Sequence, residues 1–207
     1  MKFLISLLDK KLYPNHLDSW DDILFRKLIL DQITPESIIL DLGAGAGIVS
    51  QMNFLGIAGK VHGVDLDKRV LDNPFLDEGK LSDAGEIPYP NEHFDLVFCD
   101  NVFEHLENPE KVFNEVHRVL KSKGVFLFKT PNKFHYVPII ARFTPHCFHQ
   151  FYNRLRGRKE TDTFPTLYKA NSSKDLRHLC KLTQFRSLNG YFYEKNIDIK
   201  EGDNLRP

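Results

Sequence analysis

The chain has 207 residues, 42% of them hydrophobic and 27% charged, with 28 Lys and Arg against 28 Asp and Glu. That length supports one sizeable core rather than two, and the even charge, with 9 His beside it, gives no basic field to draw the protein onto nucleic acid. Cys99, Cys147 and Cys180 are odd in number, widely spaced and without a C-x-x-C, which argues against a disulfide framework and a structural zinc site and fits a reducing, cytoplasmic setting.

In chain order, the opening MKFLISLLDKKLYP breaks its short apolar run at Asp9 and has no small-residue cleavage site, so it does not read as a secretory leader. Nothing along the chain approaches the roughly 20 apolar residues of a membrane span. Residues 17–33 place Leu17, Trp20, Ile23, Leu24, Leu28 and Ile29 at helical spacing, predicting an amphipathic helix that caps the fold. Ile38 to Leu42 reads as a buried strand, and a helix is predicted from Gly47 to Leu55. Lys60 to Val64 is a second strand ending in Asp65. Pro74 limits the next connection to a turn or two of helix, and a third strand is placed near Lys80 to Ser82. His93 to Cys99 is a fourth, strongly apolar strand. A helix follows from Pro109 to Leu120, broken by Lys123-Gly124, and then a fifth strand from Gly124 to Lys129, stopped by Pro131. Beyond 132–171, Ser173 to Leu182 predicts a helix with Asn171 or Ser172 as N-cap, and a last strand is placed around Phe185 to Tyr193. The alternation of strand and helix predicts a mostly parallel, doubly wound α/β sheet. Its parts would be an N-terminal cap (1–35), a core (36–131), an inserted cap or lid (132–171) and a C-terminal helix and strand (172–207) of one domain. After the last of these strands only Asn196 to Pro207 remain, charged and polar, so a further strand is either short and irregular or not reached.

The most informative stretch is Ser37 to Gly47, SIILDLGAGAG, an apolar run that ends in an acid and then in alternating glycines. Glycine tolerates φ > 0 and lets a ligand approach the main chain. A dinucleotide fingerprint needs G-x-G-x-x-G, yet counting from Gly43 and Gly45 places Ile48 at the third position. A carboxylate at the strand end also suits an ammonium-bearing ligand better than a pyrophosphate.

Asp41-x-Gly43-x-Gly45-x-Gly47 resembles motif I of the class I S-adenosylmethionine-dependent methyltransferases, which have a Rossmann-like fold. Ser82 to Pro90 followed by Phe94-Asp95 resembles the D-A-x-x-L-P-F-x-x-x-x-F-D run of the small-molecule members, and the resemblance extends over Ile38 to Asn132. It implies that S-adenosylmethionine, and its product S-adenosylhomocysteine, are held by Asp41, Gly43, Ala44, Gly45, Gly47, Asp65, Leu66, Asp83, Ala84, Asp100 and Asn101. Asp65 would accept from the ribose hydroxyls, Asp83 from the adenine amino group, and the Ala84 N–H would serve a ring nitrogen.

Chemistry belongs beyond the carboxyl ends of the strands, where Asp100, Asn101, Glu104 and His105 follow the fourth strand. Transfer from a sulfonium mainly requires alignment of the acceptor and removal of one proton. His105 is the candidate general base, and a helix-bracing role for it is the alternative. Ubiquinone-type and small-RNA 2′-O-methyltransferases carry E-x-x-E-H here, a pattern able to hold a divalent ion. Asn101 replaces its first carboxylate with a weaker, neutral amide, and no metal is expected.

The insertion would face the acceptor. Phe134, His135, Tyr136, Phe143, His146, Phe148, His149, Phe151 and Tyr152 suit stacking on sugar or aromatic rings, and equally suit a packed cover. Arg154, Arg156, Arg158 and Lys159 fit either a phosphate or a solvated loop. Phe164 to Asn171 resembles the tail of bacterial methyltransferases of surface-glycan pathways. The expected partner is a small-molecule or glycan- or lipid-linked acceptor methylated on oxygen, not nucleic acid. A non-catalytic S-adenosylmethionine-binding or partner-binding protein is the main rival, and a nicotinamide oxidoreductase is disfavoured by the glycine spacing.

Overall fold

A computed structural model describes residues 20–131, 133, 166–183 and 185. Its centre is a 5-stranded sheet in the order β3-β2-β1-β4-β5, built from β1 (Ile38–Leu42), β2 (Lys60–Asp65), β3 (Glu78–Leu81), β4 (Phe94–Asp100) and β5 (Leu120–Lys129). All pairings are parallel. Helix α1 (Trp20–Leu30) precedes the sheet, α2 (Pro109–Val119) links β4 to β5, and α3 (Ser173–Leu182) lies near the C-terminal end. The sequence expectation of a doubly wound parallel fold therefore holds.

The strands are near-continuous apolar runs because both faces are covered. Leu40, Leu42, Val97, Cys99 and Val64 pack with Val112, Phe113 and Val116 of α2 and Leu176 and Leu179 of α3. The alternating partners Ile39, Val61, Leu96 and Phe98 pack with Phe25 and Ile29 of α1, and with Met52 and Phe54. Strand order reverses between β1 and β4, so the connections leaving those strands diverge and open a crevice at their carboxyl ends.

Several boundaries differ from the sequence reading. Residues 17–19 of the first helix lie outside the described residues, and the helix stops at Leu30, its last turn closing through Asp31 N to Lys27 O at 3.0 Å. The helix expected from Gly47 to Leu55 is only a 3-10 turn, Ser50–Met52. Arg26 takes the Gln51 and Asn53 carbonyls at 2.6 and 2.7 Å, and Asn53 Oδ1 accepts the Leu55 N–H at 3.0 Å. Groups that would propagate the helix are thus committed elsewhere. Lys123-Gly124 does not separate helix from strand either. β5 begins at Leu120, opposite Phe94, and the pair sits inside a register irregularity with Lys123 at φ 78. The link to β3 holds a 3-10 turn, Lys68–Asp72, and β3 starts two residues and ends one residue earlier than expected. The last strand falls outside the described residues apart from Phe185, as does most of the insertion with its arginine cluster and Cys147.

Capping follows simple chemistry. Asn108 Oδ1 accepts the Lys111 N–H at 3.1 Å with Pro109 opening α2, and Ser172 caps α3 through the Asp175 N–H at 3.3 Å. Among the described residues no helix is long and apolar enough to cross a membrane.

Candidate functional site

Parity and register assemble the site. Asp41 follows Ile39 on β1, Asp100 follows Leu96 and Phe98 on β4, and Asp65 follows Val61 on β2, so alternation places all three carboxylates on the α1 face at the strand ends. Asp41 lies opposite Gly63 and Phe98. A Cβ on Gly63 would come within 2.4 Å of Leu76 Cδ1 and 2.9 Å of Ala44 Cβ, so the neighbouring strand has no side chain at this point.

The glycine loop then turns over these acids. Gly43, Gly45 and Gly47 all have positive φ, at 87°, 52° and 66°, a region that strains any residue with a Cβ. The neighbours separate their roles. A Cβ on Gly43 would strike Val102 Cγ2 at 2.4 Å, and one on Gly47 would strike Asn73 Oδ1 at 2.3 Å. At Gly45 the nearest atom to such a Cβ is Asp65 Oδ2, 3.9 Å away. Gly43 and Gly47 are therefore glycines because protein packs on them, whereas Gly45 faces open space.

That space is a cleft of about 240 Å³ lined by Asp41, the Gly43 to Gly47 loop, Ile48, Val49, Met52, Asp65, Asp67, Arg69, Asn73, Phe75 and Asp100. Asp65 organises its rim, accepting the Gly45 N–H on Oδ2 at 2.8 Å and the Asp67 N–H on Oδ1 at 2.7 Å. Each oxygen keeps a lone pair for a hydroxyl donor. Burial, then Asp100 and Asp65, hold the Asp41 carboxyl well above its ordinary pKa. Burial also raises Asp100, against the opposing pull of Lys129, whose Nζ is 2.9 Å from Asp100 Oδ1. The same ammonium reaches Asp21 Oδ2 at 3.1 Å and Asp22 Oδ1, tying α1 to the ends of β4 and β5. Burial works against the Lys129 charge, but these carboxylates hold its pKa above the usual lysine value.

The structure gathers Asp41, Gly43, Ala44, Gly45, Gly47, Asp65 and Asp100 around one cleft. The remaining sequence candidates lie outside that lining. Leu66 is exposed. Asp83 Oδ1 accepts the Gly85 N–H at 2.7 Å, and Ala84 packs against the α2 side of the core. Asn101, at φ 55, donates from Nδ2 to Asp100 Oδ1 at 2.8 Å, and its own N–H goes to Lys129 O at 2.9 Å. His105 sits in a 3-10 turn, Phe103–His105, with Nε2 3.9 Å from Oε1 of the buried Glu104. Among the described residues no three His, Cys, Asp or Glu side chains gather as a metal ligand set. Cys99 is fully buried, its thiol pushed up by burial, and is no nucleophile.

Sequence reasoning missed Asn73 and Lys129. Asn73 Nδ2 donates to Ala44 O and Gly45 O at 3.0 and 3.2 Å, while Oδ1 accepts the Phe75 N–H at 2.9 Å. One buried amide thus clamps the loop from beneath. Its only sequence signal is the turn-forming Asn73-Pro74 pair. Lys129 shows only as a cation closing an apolar strand.

The donor set fits a cationic nucleoside: carboxylates for hydroxyls and positive charge, a glycine with space before it, and apolar Ile48, Val49, Met52 and Phe75 for a flat ring. A family model described as a methyltransferase domain matches residues 40–128. Over 133 residues the chain is 31% identical to the uncharacterised methyltransferase YcgJ of Bacillus subtilis, covering 58% of this chain and 49% of that protein. It is 32% identical over 110 residues to a sarcosine/dimethylglycine N-methyltransferase of Halorhodospira halochloris, covering 48% and 39%. It is also 32% identical over 117 residues to a mitochondrial ubiquinone biosynthesis O-methyltransferase of Candida albicans, covering 50% and 36%. The crystal structure of YcgJ superposes with a TM-score of 0.56 at 23% identity, over 78% of this chain and 68% of that one, which shows a shared fold. The chain spans about half the length, or less, of these curated relatives.

Proposed function

We propose that this chain, whose residues 40–128 match a methyltransferase-domain family model, transfers a methyl group from S-adenosylmethionine to an oxygen of a small molecule or of a glycan- or lipid-linked precursor. The observation that carries the reading is the open space before Gly45, set among Asp41, Asp65 and Asp100. Asp65 would accept from ribose hydroxyls with the lone pairs its loop contacts leave free, and Asp41 and Asp100 would face positive charge. Asp83 and Ala84 would serve the adenine edge.

When bound, S-adenosylmethionine supplies a methyl group on a sulfonium, whose carbon–sulfur electron pair stays with sulfur as the acceptor oxygen takes the carbon. The protein's part is alignment, worth about 7 kcal/mol or more when the reacting groups are held in line, and removal of the hydroxyl proton. His105 would take that proton, with Glu104 beside it, a contribution of about 10² to 10⁴-fold. The relatives methylate nitrogen as well as oxygen according to their names, so oxygen rests on the imidazole proposed as base and the ring-rich segment 132–171.

Calorimetry with S-adenosylhomocysteine tests the binding half. Incubation of the protein with methyl-labelled S-adenosylmethionine and small-molecule fractions, read by mass spectrometry, tests the transfer half. Tight binding with no labelled product from any fraction would favour a non-catalytic binding protein.

A further inference from the structure

A buried hydrogen-bond chain joins the entry to α3 with the turn after β4. Asn171, 1% exposed, donates from Nδ2 to Pro131 O at 3.1 Å and to Thr130 Oγ1 at 2.5 Å. A carbonyl oxygen only accepts, so the Pro131 contact fixes which end of the amide faces Thr130. With its oxygen accepting from Asn171, the Thr130 hydroxyl directs its proton to Glu104 Oε2 at 3.4 Å. The main chain repeats the link. Glu104 O accepts the Leu167 N–H at 2.6 Å and the Tyr168 N–H at 3.2 Å, with Tyr168 held at φ 51. Asn171 Oδ1, by contrast, is buried with no donor among the described residues. A buried orphan acceptor is unfavourable, so it is the amide's donor end that contributes here.

We propose that Asn171 and Thr130 are positioning residues for the Glu104 carboxyl, fixing its orientation beside His105 through the Asn171 to Thr130 to Glu104 hydrogen-bond chain. The functional meaning rests on the reading of Glu104 and His105 as the acceptor-side pair, whereas the chain itself does not. Charged and titratable groups facing Glu104 are His105 from its own turn, Asp100 and Cys99 from the end of β4, and Tyr168 from the segment before α3. Burial holds the Glu104 carboxyl above its ordinary value, and its own backbone N–H, His105 and the Thr130 hydroxyl oppose that. Removing the hydroxyl therefore moves the carboxyl further up.

The test is a carbon-detected NMR titration of the glutamate carboxyls in the full chain without ligand, with Glu104 assigned through Glu104→Gln. Thr130→Val, close in shape but without the hydroxyl, is expected to raise the Glu104 midpoint measurably. Asn171→Ala should raise it less, and Thr130→Ser should restore it. An unmoved midpoint in Thr130→Val overturns the proposal. So does an equal shift in Thr130→Ser, which would mark a packing effect. Should Asn171→Ala fail to fold, the Val and Ser pair decides alone. The titration needs neither cofactor nor acceptor, so failure of methyl transfer is read separately, from S-adenosylhomocysteine calorimetry and product analysis on the wild-type protein.

Discussion

The Gly45 amide donates to Asp65 Oδ2 at 2.8 Å, so the glycine loop and the end of β2 are one hydrogen-bonded unit before any ligand arrives. Asn73 holds the same loop from the other side through the Ala44 and Gly45 carbonyls. A loop fixed by both its donors and its acceptors loses little further freedom on binding, which favours affinity.

Gly45 and Gly47 should separate binding from folding. Gly45→Ala puts a methyl group into open space at φ 52, and Gly47→Ala drives one into Asn73. Each carries backbone strain of about 1–2 kcal/mol, but only the second also breaks packing. Calorimetry and thermal melts should show Gly45→Ala losing S-adenosylhomocysteine affinity with a small change in melting temperature. Gly47→Ala should lose both.

Asp65→Ala should weaken S-adenosylhomocysteine binding by about 1–3 kcal/mol, because it removes the proposed hydroxyl acceptor and frees the Gly45 N–H. Asp83→Ala removes the acceptor of the Gly85 N–H at 2.7 Å and should cost a similar amount if that side chain also serves adenine. A dissociation constant unchanged in the second variant but raised in the first would confine the site to the cleft around Gly45.

Asp41 sets stability against binding. Its carboxyl is held above the ordinary value in the folded protein by burial, Asp100 and Asp65. Native protein therefore keeps the proton longer than unfolded chain, and stability is lost as pH rises from the ordinary carboxyl pKa through the raised one. Asp41→Asn removes that loss. Its melting temperature without ligand should exceed the wild type's near neutral pH, by about 2–4 °C for each kcal/mol regained. The gap should close on acidification below the ordinary carboxyl range, while affinity for S-adenosylmethionine falls.

His105→Gln should retain S-adenosylmethionine affinity and lower turnover by at least about 10²-fold. A parallel drop in melting temperature would instead assign His105 to bracing the turn at 103–105.

Much of this was legible in the residues, for identifiable reasons. Ile38–Leu42 and Ser173–Leu182 take the bounds their patterns predict, one as an apolar run between turn residues, the other as an amphipathic repeat behind a serine cap. Asp41, Asp65 and Asp100 were readable because each lies in the last two residues of an apolar strand, and parallel register then brings strand ends together. The expected helix over 47–55 failed because Arg26, far away in sequence, takes its carbonyls. Lys123-Gly124 reads as a stop in sequence but as an irregular turn of strand beside β4. Asn73 and Lys129 were invisible for the same reason, since their roles exist only across loops and strands that the fold brings together.

The clamp beneath the glycine loop has a chemical lifetime as well as a geometry. Asparagine side chains deamidate when the following backbone nitrogen attacks the carboxamide, and the residue after Asn73 is Pro74, whose nitrogen carries no hydrogen and so blocks the cyclic imide. An aspartate at this position would turn a negative oxygen toward the Ala44 and Gly45 carbonyls, where the amide now donates. The proline thus closes the imide route at the amide that holds the loop from beneath.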